Sequence, residues 1–161
     1  MNTSAVDFSD VQGLVRFGYG KMRGASYALL RVKNPGAACA WLQTALRTGA
    51  IATAEAQRPA PSSALQVAFT AAGLEAIGIP RAIVDGFSPE FLGGMGNPNR
   101  ARRLGDIVAN DPWKWDWGYG AKVPDLVVMF FAHPKELPGF VEASKGNAWA
   151  NAFEEIQWLG T

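Results

Sequence analysis

Asp125-Leu-Val-Val-Met-Phe-Phe-Ala-His133 reads as a strand from one end to the other. Apolar residues fill both alternations, and Pro134 stops the run. The pattern predicts an inner strand buried on both faces. Leu126 to Ala132 is the longest apolar run in the chain, seven residues, far too short to span a bilayer. No membrane partner is expected.

Working outward from this strand, a helix is predicted over 138–150, with Phe140, Val141, Ser144, Ala148 and Phe153 as a ragged apolar face. Glu154 to Leu159 reads as the last strand. Upstream, Ser26 to Val32 reads as the first strand. Asn34-Pro35 then supplies an N-cap and a first-turn proline for a helix over 36–48. Ala38, Trp41, Leu42, Ala45 and Leu46 make its buried stripe, and Gly49 ends it. Ala, Pro and Ser dominate the connector from Ile51 to Ser63. Leu65 to Thr70 is the second strand, and Thr70 caps a short helix through Ile77 that Gly78 terminates. The order is β-α-β, a long excursion, then β-α-β. That is the ferredoxin-like plan, an α+β fold with a four-stranded antiparallel sheet and two helices on one face. The 161 residues form a single domain, 1–161, with an insertion at 81–124 between strands 2 and 3.

The insertion is rich in Gly and Pro, and it holds Arg100, Arg102, Arg103 and three of the six tryptophans, Trp113, Trp115 and Trp117. Segments of this length inside a compact domain are functional, interfacial, or a cover for their own sheet. Ser88-Pro89 starts a helix that Gly93-Gly94 ends, and a second short turn runs from Asn99 to Leu104. In an extended chain the three indoles would share one face, which must then bury against the sheet or against another surface.

Composition excludes several classes. Hydrophobic residues make up 48% and charged residues 18%, a globular balance. A net charge of +1 gives no drive toward nucleic acid. One cysteine, Cys39, permits no internal disulfide and no thiolate metal site; it lies just off the helical stripe and reads as a packed, unreactive thiol. Met1 to Asp10 has neither a basic nor an apolar signal region, so a cytoplasmic location is expected. Gly18, Gly20 and Gly24 have the wrong spacing for a nucleotide loop and read as a glycine turn. No G-x-S-x-G and no metal-spaced His, Asp or Glu cluster is present. His133, the single histidine, is the one candidate nitrogen ligand for a haem, against a purely structural role at a strand end. Asp106 and Asp111 read as partners for salt bridges or loop hydrogen bonds. The arginines either hold an anion bidentately or brace the loop.

Several blocks together resemble the N-terminal half of a dye-decolourising (DyP-type) haem peroxidase. They are Asp10-Val-Gln-Gly-Leu-Val, Gly18-Tyr-Gly20, Leu65-Gln-Val-Ala-Phe-Thr-Ala-Ala-Gly-Leu-Glu-Ala-Ile-Gly-Ile-Pro80, Phe87-Ser-Pro-Glu-Phe-Leu-Gly-Gly-Met95, Arg100 to Asp106, and Asp111-Pro-Trp113. They span most of the chain in the family's order. The resemblance implies a ferredoxin-like fold of the kind that pairs into a dimeric α/β barrel. It also implies a complete enzyme that uses hydrogen peroxide and haem b to oxidise dyes or phenolic compounds. The family's G-x-x-D-G motif is absent from this sequence, as are matches to the proximal histidine and distal arginine. By this resemblance no catalytic residue is carried over. His133 matches a strand end of the first half, and Arg100, Arg102 and Arg103 match a first-half block. The chain is then the structural half of such an enzyme, inactive alone, with a C-terminal haem domain as partner. Arg100, Arg102, Arg103, Trp113, Trp115 and Trp117 become candidates for the interface with that domain or with another subunit. The alternative is a stand-alone ferredoxin-like module that homo-oligomerises, a second copy replacing the missing half, and binds a small ligand or protein.

Overall fold

The computed structural model describes residues 6–160. Four strands, β1 (Gly24–Val32), β2 (Ser63–Phe69), β3 (Leu126–Ala132) and β4 (Phe153–Gly160), form one antiparallel sheet in the order β2-β3-β1-β4. This is the ferredoxin-like α+β plan that the element order implies. One helix, α2 (Pro35–Arg47), follows β1; a short one, α1 (Leu14–Phe17), precedes it. Beyond β2 come α3 (Ala71–Ala76), α4 (Arg81–Val84), α5 (Pro89–Gly93) and α6 (Pro98–Leu104), then three 3₁₀ turns. Between β3 and β4 lie α7 (Leu137–Lys145) and α8 (Trp149–Ala152).

The start of α2 is set as its sequence requires. The Asn34 side chain accepts from the Ala37 N–H, and Pro35 fills the first turn, where no N–H is needed. Ala38, Trp41 and Ala45 of this helix join Ala28, Leu30, Leu65, Leu126, Val128 and Phe130 of the sheet in the main core. Leu42 is partly buried there, but Leu46 is 61% exposed, because the helix turns its last apolar position past the edge of the contact. Burial along β3 alternates: Leu126, Val128 and Phe130 are buried while Val127, Met129 and Phe131 are half-buried. The expectation of burial on both faces is therefore corrected. The second face is apolar in sequence but only partly covered. The helix expected over 138–150 is two helices, because Gly146 adopts φ +57° and turns the chain. The break lets Trp149 (4% exposed) and Ala152 (0%) enter the core, whereas Ala148 is exposed.

Two glutamines hold the N-terminal segment on the outer side of the sheet. The Gln12 side chain acts as a piece of strand: its Nε2 donates to the Val67 carbonyl and its Oε1 accepts from the Val67 N–H, both at 2.7 Å. Gln66, on β2, is fully buried; it donates to Tyr19 Oη, Ala52 O and Leu65 O and accepts from the Leu14 N–H. Burial of a side-chain amide is tolerated here because its hydrogen-bonding groups are satisfied. A small second cluster, Tyr19, Met22, Ala52 and Ala64 with Leu14 and Phe131 against it, sits around this point. Tyr19 is desolvated, which pushes its phenol pKa above the usual value.

Candidate functional site

The insertion starts where α3 crosses the beginning of β3. Thr70 Oγ1 accepts from the Gly73 N–H at 3.0 Å and donates to the Pro124 carbonyl at 3.0 Å, so one hydroxyl caps the helix and ties down the far end of the excursion. Gly73 lies so close to Asp125 that a Cβ would stand 1.7 Å from its carbonyl oxygen. The Asp125 carboxylate in turn accepts from the Val32 N–H at 2.7 Å. The two ends of the insertion are thus clamped to the sheet while its middle stands away.

That middle is a chain of capped turns. Ser88 Oγ accepts from the Phe91 N–H to start α5, and Asn97 Oδ1 accepts from the Asn99 N–H at the start of α6. Asp111 Oδ1 accepts from the Trp113 N–H and winds Pro112–Lys114 into a 3₁₀ turn. This turn overturns the shared tryptophan face, since the three indoles no longer alternate along an extended chain. Trp113 is 67% exposed and Trp117 39%, while Trp115 is half-buried and donates its Nε1–H to the Asn110 carbonyl. Val108 is held at φ +54°, a conformation a β-branched residue adopts only under strain, and its carbonyl accepts from Lys114 Nζ at 2.7 Å.

Between this folded-back loop and the end of β2 lies a cleft of about 1190 Å³. Phe69 and α3 form one side, and α5 with Trp115, Trp117 and Tyr119 the other. Tyr119 can lie there because residue 96 is glycine: a Cβ would stand 2.6 Å from the Tyr119 ring. The charged groups lining it are Glu90, Asp106, Lys114 and Asp116. Glu90 pairs with Arg100 at 3.6 Å. The Asp106 and Asp116 carboxylates have no ion-pair or hydrogen-bond partner among the described residues. The expected bracing role of Asp106 is therefore not seen, whereas Asp111 has one as a cap.

The arginines diverge. Arg100 faces Glu90, Arg102 donates to Asn99 Oδ1 at 3.0 Å, and Arg103 is exposed with no such partner among the described residues. They make no shared anion clamp. Apolar exposure concentrates on this insertion, which supplies ten of the fifteen exposed large hydrophobic residues described, Phe87, Ile107 and Trp113 among them.

His133 is exposed just past β3, beside a second cleft of about 540 Å³ that it shares with Tyr19, Met22 and Glu136. Its Nδ1 accepts from the Lys135 N–H at 3.3 Å, which turns the ring into a local turn of the chain. Cys39 donates to the Ile77 carbonyl at 3.4 Å. Neither residue stands in an enclosed apolar slot that would hold a macrocycle, so these two donors do not fit a haem. No group of three or more His, Cys, Asp or Glu able to hold a metal occurs among the described residues. No helix there is long and apolar enough to cross a membrane.

A ferredoxin-like α+β domain with a helical insertion after its second strand is the class that this architecture defines. Its likeness among solved structures is to one half of the DyP-type peroxidases. An Anabaena sp. DyP-type peroxidase matches with a TM-score of 0.79 at 18% identity, over 95% of this chain and 34% of that one. A fungal DyP-type peroxidase from Auricularia auricula-judae matches at 0.74 and 15% identity, over 98% and 33%. A dye-decolourising peroxidase in complex with 2,6-dimethoxyphenol matches at 0.73 and 17%, over 97% and 34%. The chain spans about a third of the length of the structures it matches. No family model and no curated protein matches it. At these identities the likeness is one of fold.

Sequence reasoning placed the insertion but missed the cleft, because its walls come from several separated stretches between Phe69 and Pro124. It also missed both glutamines and Trp149. An isolated glutamine carries no periodic signal, and Trp149 needed the turn at Gly146 to be foreseen.

Proposed function

We propose that this chain is the first, structural half of a DyP-like peroxidase. Its complete form uses hydrogen peroxide and haem b to oxidise dyes or phenolic compounds. A likeness of fold that runs through 95–98% of the chain yet takes in 33–34% of each matched peroxidase carries this reading. In it the haem belongs to the C-terminal half, and this half braces that one. The partner meets the outer sheet face, where Tyr27, Val127, Met129, Phe131 and Leu159 are half-buried, and the apolar insertion with Trp113, Trp117 and Arg103. Apolar patches of this kind mark interaction surfaces.

The chain alone is expected to lack peroxidase activity. Haemin titration should give no Soret band that depends on His133, and peroxide-dependent dye oxidation should stay at the level of free haemin. Turnover well above free haemin would sink the reading. The alternative is a self-associating module in which a second copy covers the same half-buried sheet face. The mass of the endogenous protein separates the two. A band near 17 kDa in source-cell lysate, with a dimer by sedimentation, favours the module. A band of two to three times that mass favours the peroxidase half.

A further inference from the structure

We propose that the cleft between the insertion and the end of β2 binds a planar aromatic cation. The proposal does not depend on the peroxidase reading. Three observations lead to it. First, the cleft, at about 1190 Å³, is roomy enough for a small molecule and has suitable wall chemistry, with Phe69, Trp115, Trp117 and Tyr119 among the lining residues. Aromatic faces attract both flat rings and positive charge. Second, two of the three carboxylates lining the cleft are unpartnered, while its one lysine and the cations beside it are committed. The Asp106 and Asp116 carboxylates have no partner among the described residues. Lys114 Nζ donates to the Val108 carbonyl at 2.7 Å, Lys122 Nζ to the Trp115 carbonyl at 3.4 Å, and Arg100 pairs with Glu90. A cation entering the cleft meets unpaired carboxylates, whereas an anion meets amines already turned toward the backbone. Third, the wall is built rather than incidental. Gly96 makes room for the Tyr119 ring, and Lys114 fastens the strained carbonyl of Val108.

The test is calorimetric titration of the purified chain, with tryptophan quenching as a second readout. Two planar tricyclic probes of opposite charge are used, acridine orange (cationic) and anthraquinone-2-sulfonate (anionic). The cation is expected to bind at one site with a Kd on the order of 10⁻⁵–10⁻⁴ M. The anion should bind at least fivefold more weakly. Asp106→Asn with Asp116→Asn should weaken the cation about threefold to tenfold and leave the anion unchanged or tighter. Trp117→Ala should weaken both. Asp10→Asn, an exposed carboxylate outside the cleft, should change neither. Equal affinity for the two probes would overturn the proposal, and this comparison needs no variant to fold. So would unaltered cation binding in the double asparagine variant.

Discussion

Gly73→Ala should be among the most damaging single-methyl additions to this chain, and Gly36→Ala should be harmless or better. The chemical change is the same, and both glycines lie in helices. At Gly36 the nearest atom to an added Cβ is Asn34 Oδ1 at 3.5 Å, an ordinary contact, so the alanine gains helix propensity of about 0.5 kcal/mol. At Gly73 the added carbon would stand 1.7 Å from the Asp125 carbonyl oxygen and 2.5 Å from the carbonyl carbon. These are backbone atoms and cannot swing aside. Relief requires α3 and the start of β3 to part by more than an ångström. The same carbonyl accepts from the Thr70 N–H at 2.9 Å, and the Asp125 N–H donates to the Leu30 carbonyl at 2.8 Å. Overpacking costs about 1–3 kcal/mol, and each disrupted hydrogen bond adds about 1 kcal/mol. The sum is about 3–5 kcal/mol, a large share of a domain's net stability. It corresponds to a fall of roughly 10 °C in Tm for a chain of this size. Urea unfolding of both variants, followed by tryptophan fluorescence, gives the comparison. If Gly73→Ala costs less than about 1 kcal/mol, α3 is not clamped to β3 as described, and the origin of the insertion is misplaced.

Gln66→Leu should cost about 1–3 kcal/mol, because it strands the Leu14 N–H and takes the donor from the Tyr19 hydroxyl in a buried site, whereas the Ala52 carbonyl keeps the Gly13 N–H. Hydrogen exchange should show protection lost first in the N-terminal segment. Glu155 accepts from the indole N–H groups of Trp149 and Trp158 and pairs with Lys145. Burial alone would raise its carboxyl pKa, but the Trp158 and Trp149 donors and Lys145 outweigh burial and hold it below its ordinary value. A depressed carboxylate contributes stability that is complete above its unfolded pKa and lost as pH falls through the folded one. Glu155→Gln should therefore cost about 0.5 kcal/mol at pH 7, since solvent screens this exposed carboxylate, and progressively less toward pH 3; a pH-independent cost would refute this account. Val108→Gly should raise stability by about 0.5–1 kcal/mol, measured by thermal melting, since it removes strain at a side chain that is 79% exposed.

Much of the fold was legible in the sequence, for identifiable reasons. Asn34-Pro35, Thr70 and Ser88-Pro89 are local signals, and each caps the helix it announces. β1 and β3 are short, mainly apolar runs bounded by breakers, β2 and β4 mix polar residues into theirs, and the pairing of all four follows from the order of elements. What failed depended on distant context. Whether the second face of β3 is covered cannot be read from β3 itself, because apolar composition fixes what a face tolerates rather than what lies on it. The tryptophan face failed because one residue outside the Trp-x-Trp-x-Trp pattern, Asp111, winds the chain into a 3₁₀ turn. Asp106 and Asp116 were hidden in the same way: nothing local shows that a carboxylate will face an aromatic wall without a partner.

The blocks that carry the peroxidase resemblance have a structural explanation that is independent of catalysis. In Asp10-Val-Gln-Gly-Leu-Val, Gln12 pairs with the backbone of Val67, and a Cβ on Gly13 would stand 2.2 Å from the Tyr19 hydroxyl. In Leu65-Gln-Val-Ala-Phe-Thr-Ala-Ala-Gly, Gln66 satisfies the N-terminal segment, Thr70 caps α3, and Gly73 admits Asp125. In the Phe87–Met95 and Asp111–Trp113 blocks, Ser88 and Asp111 are caps, and Glu90 pairs with Arg100. Apart from the Glu90–Arg100 ion pair at the cleft wall, each of these residues closes the backbone or fixes a close approach. Resemblance of this kind transmits a fold and leaves chemistry to be supplied elsewhere. It follows that substitutions at Gln12, Gln66 or Gly73 in a complete peroxidase should lower the folded fraction, leaving turnover per folded molecule unchanged. If the proposed reading holds, a residue of this chain that altered turnover without altering stability would lie on the surface facing the haem half, and so would map that surface directly.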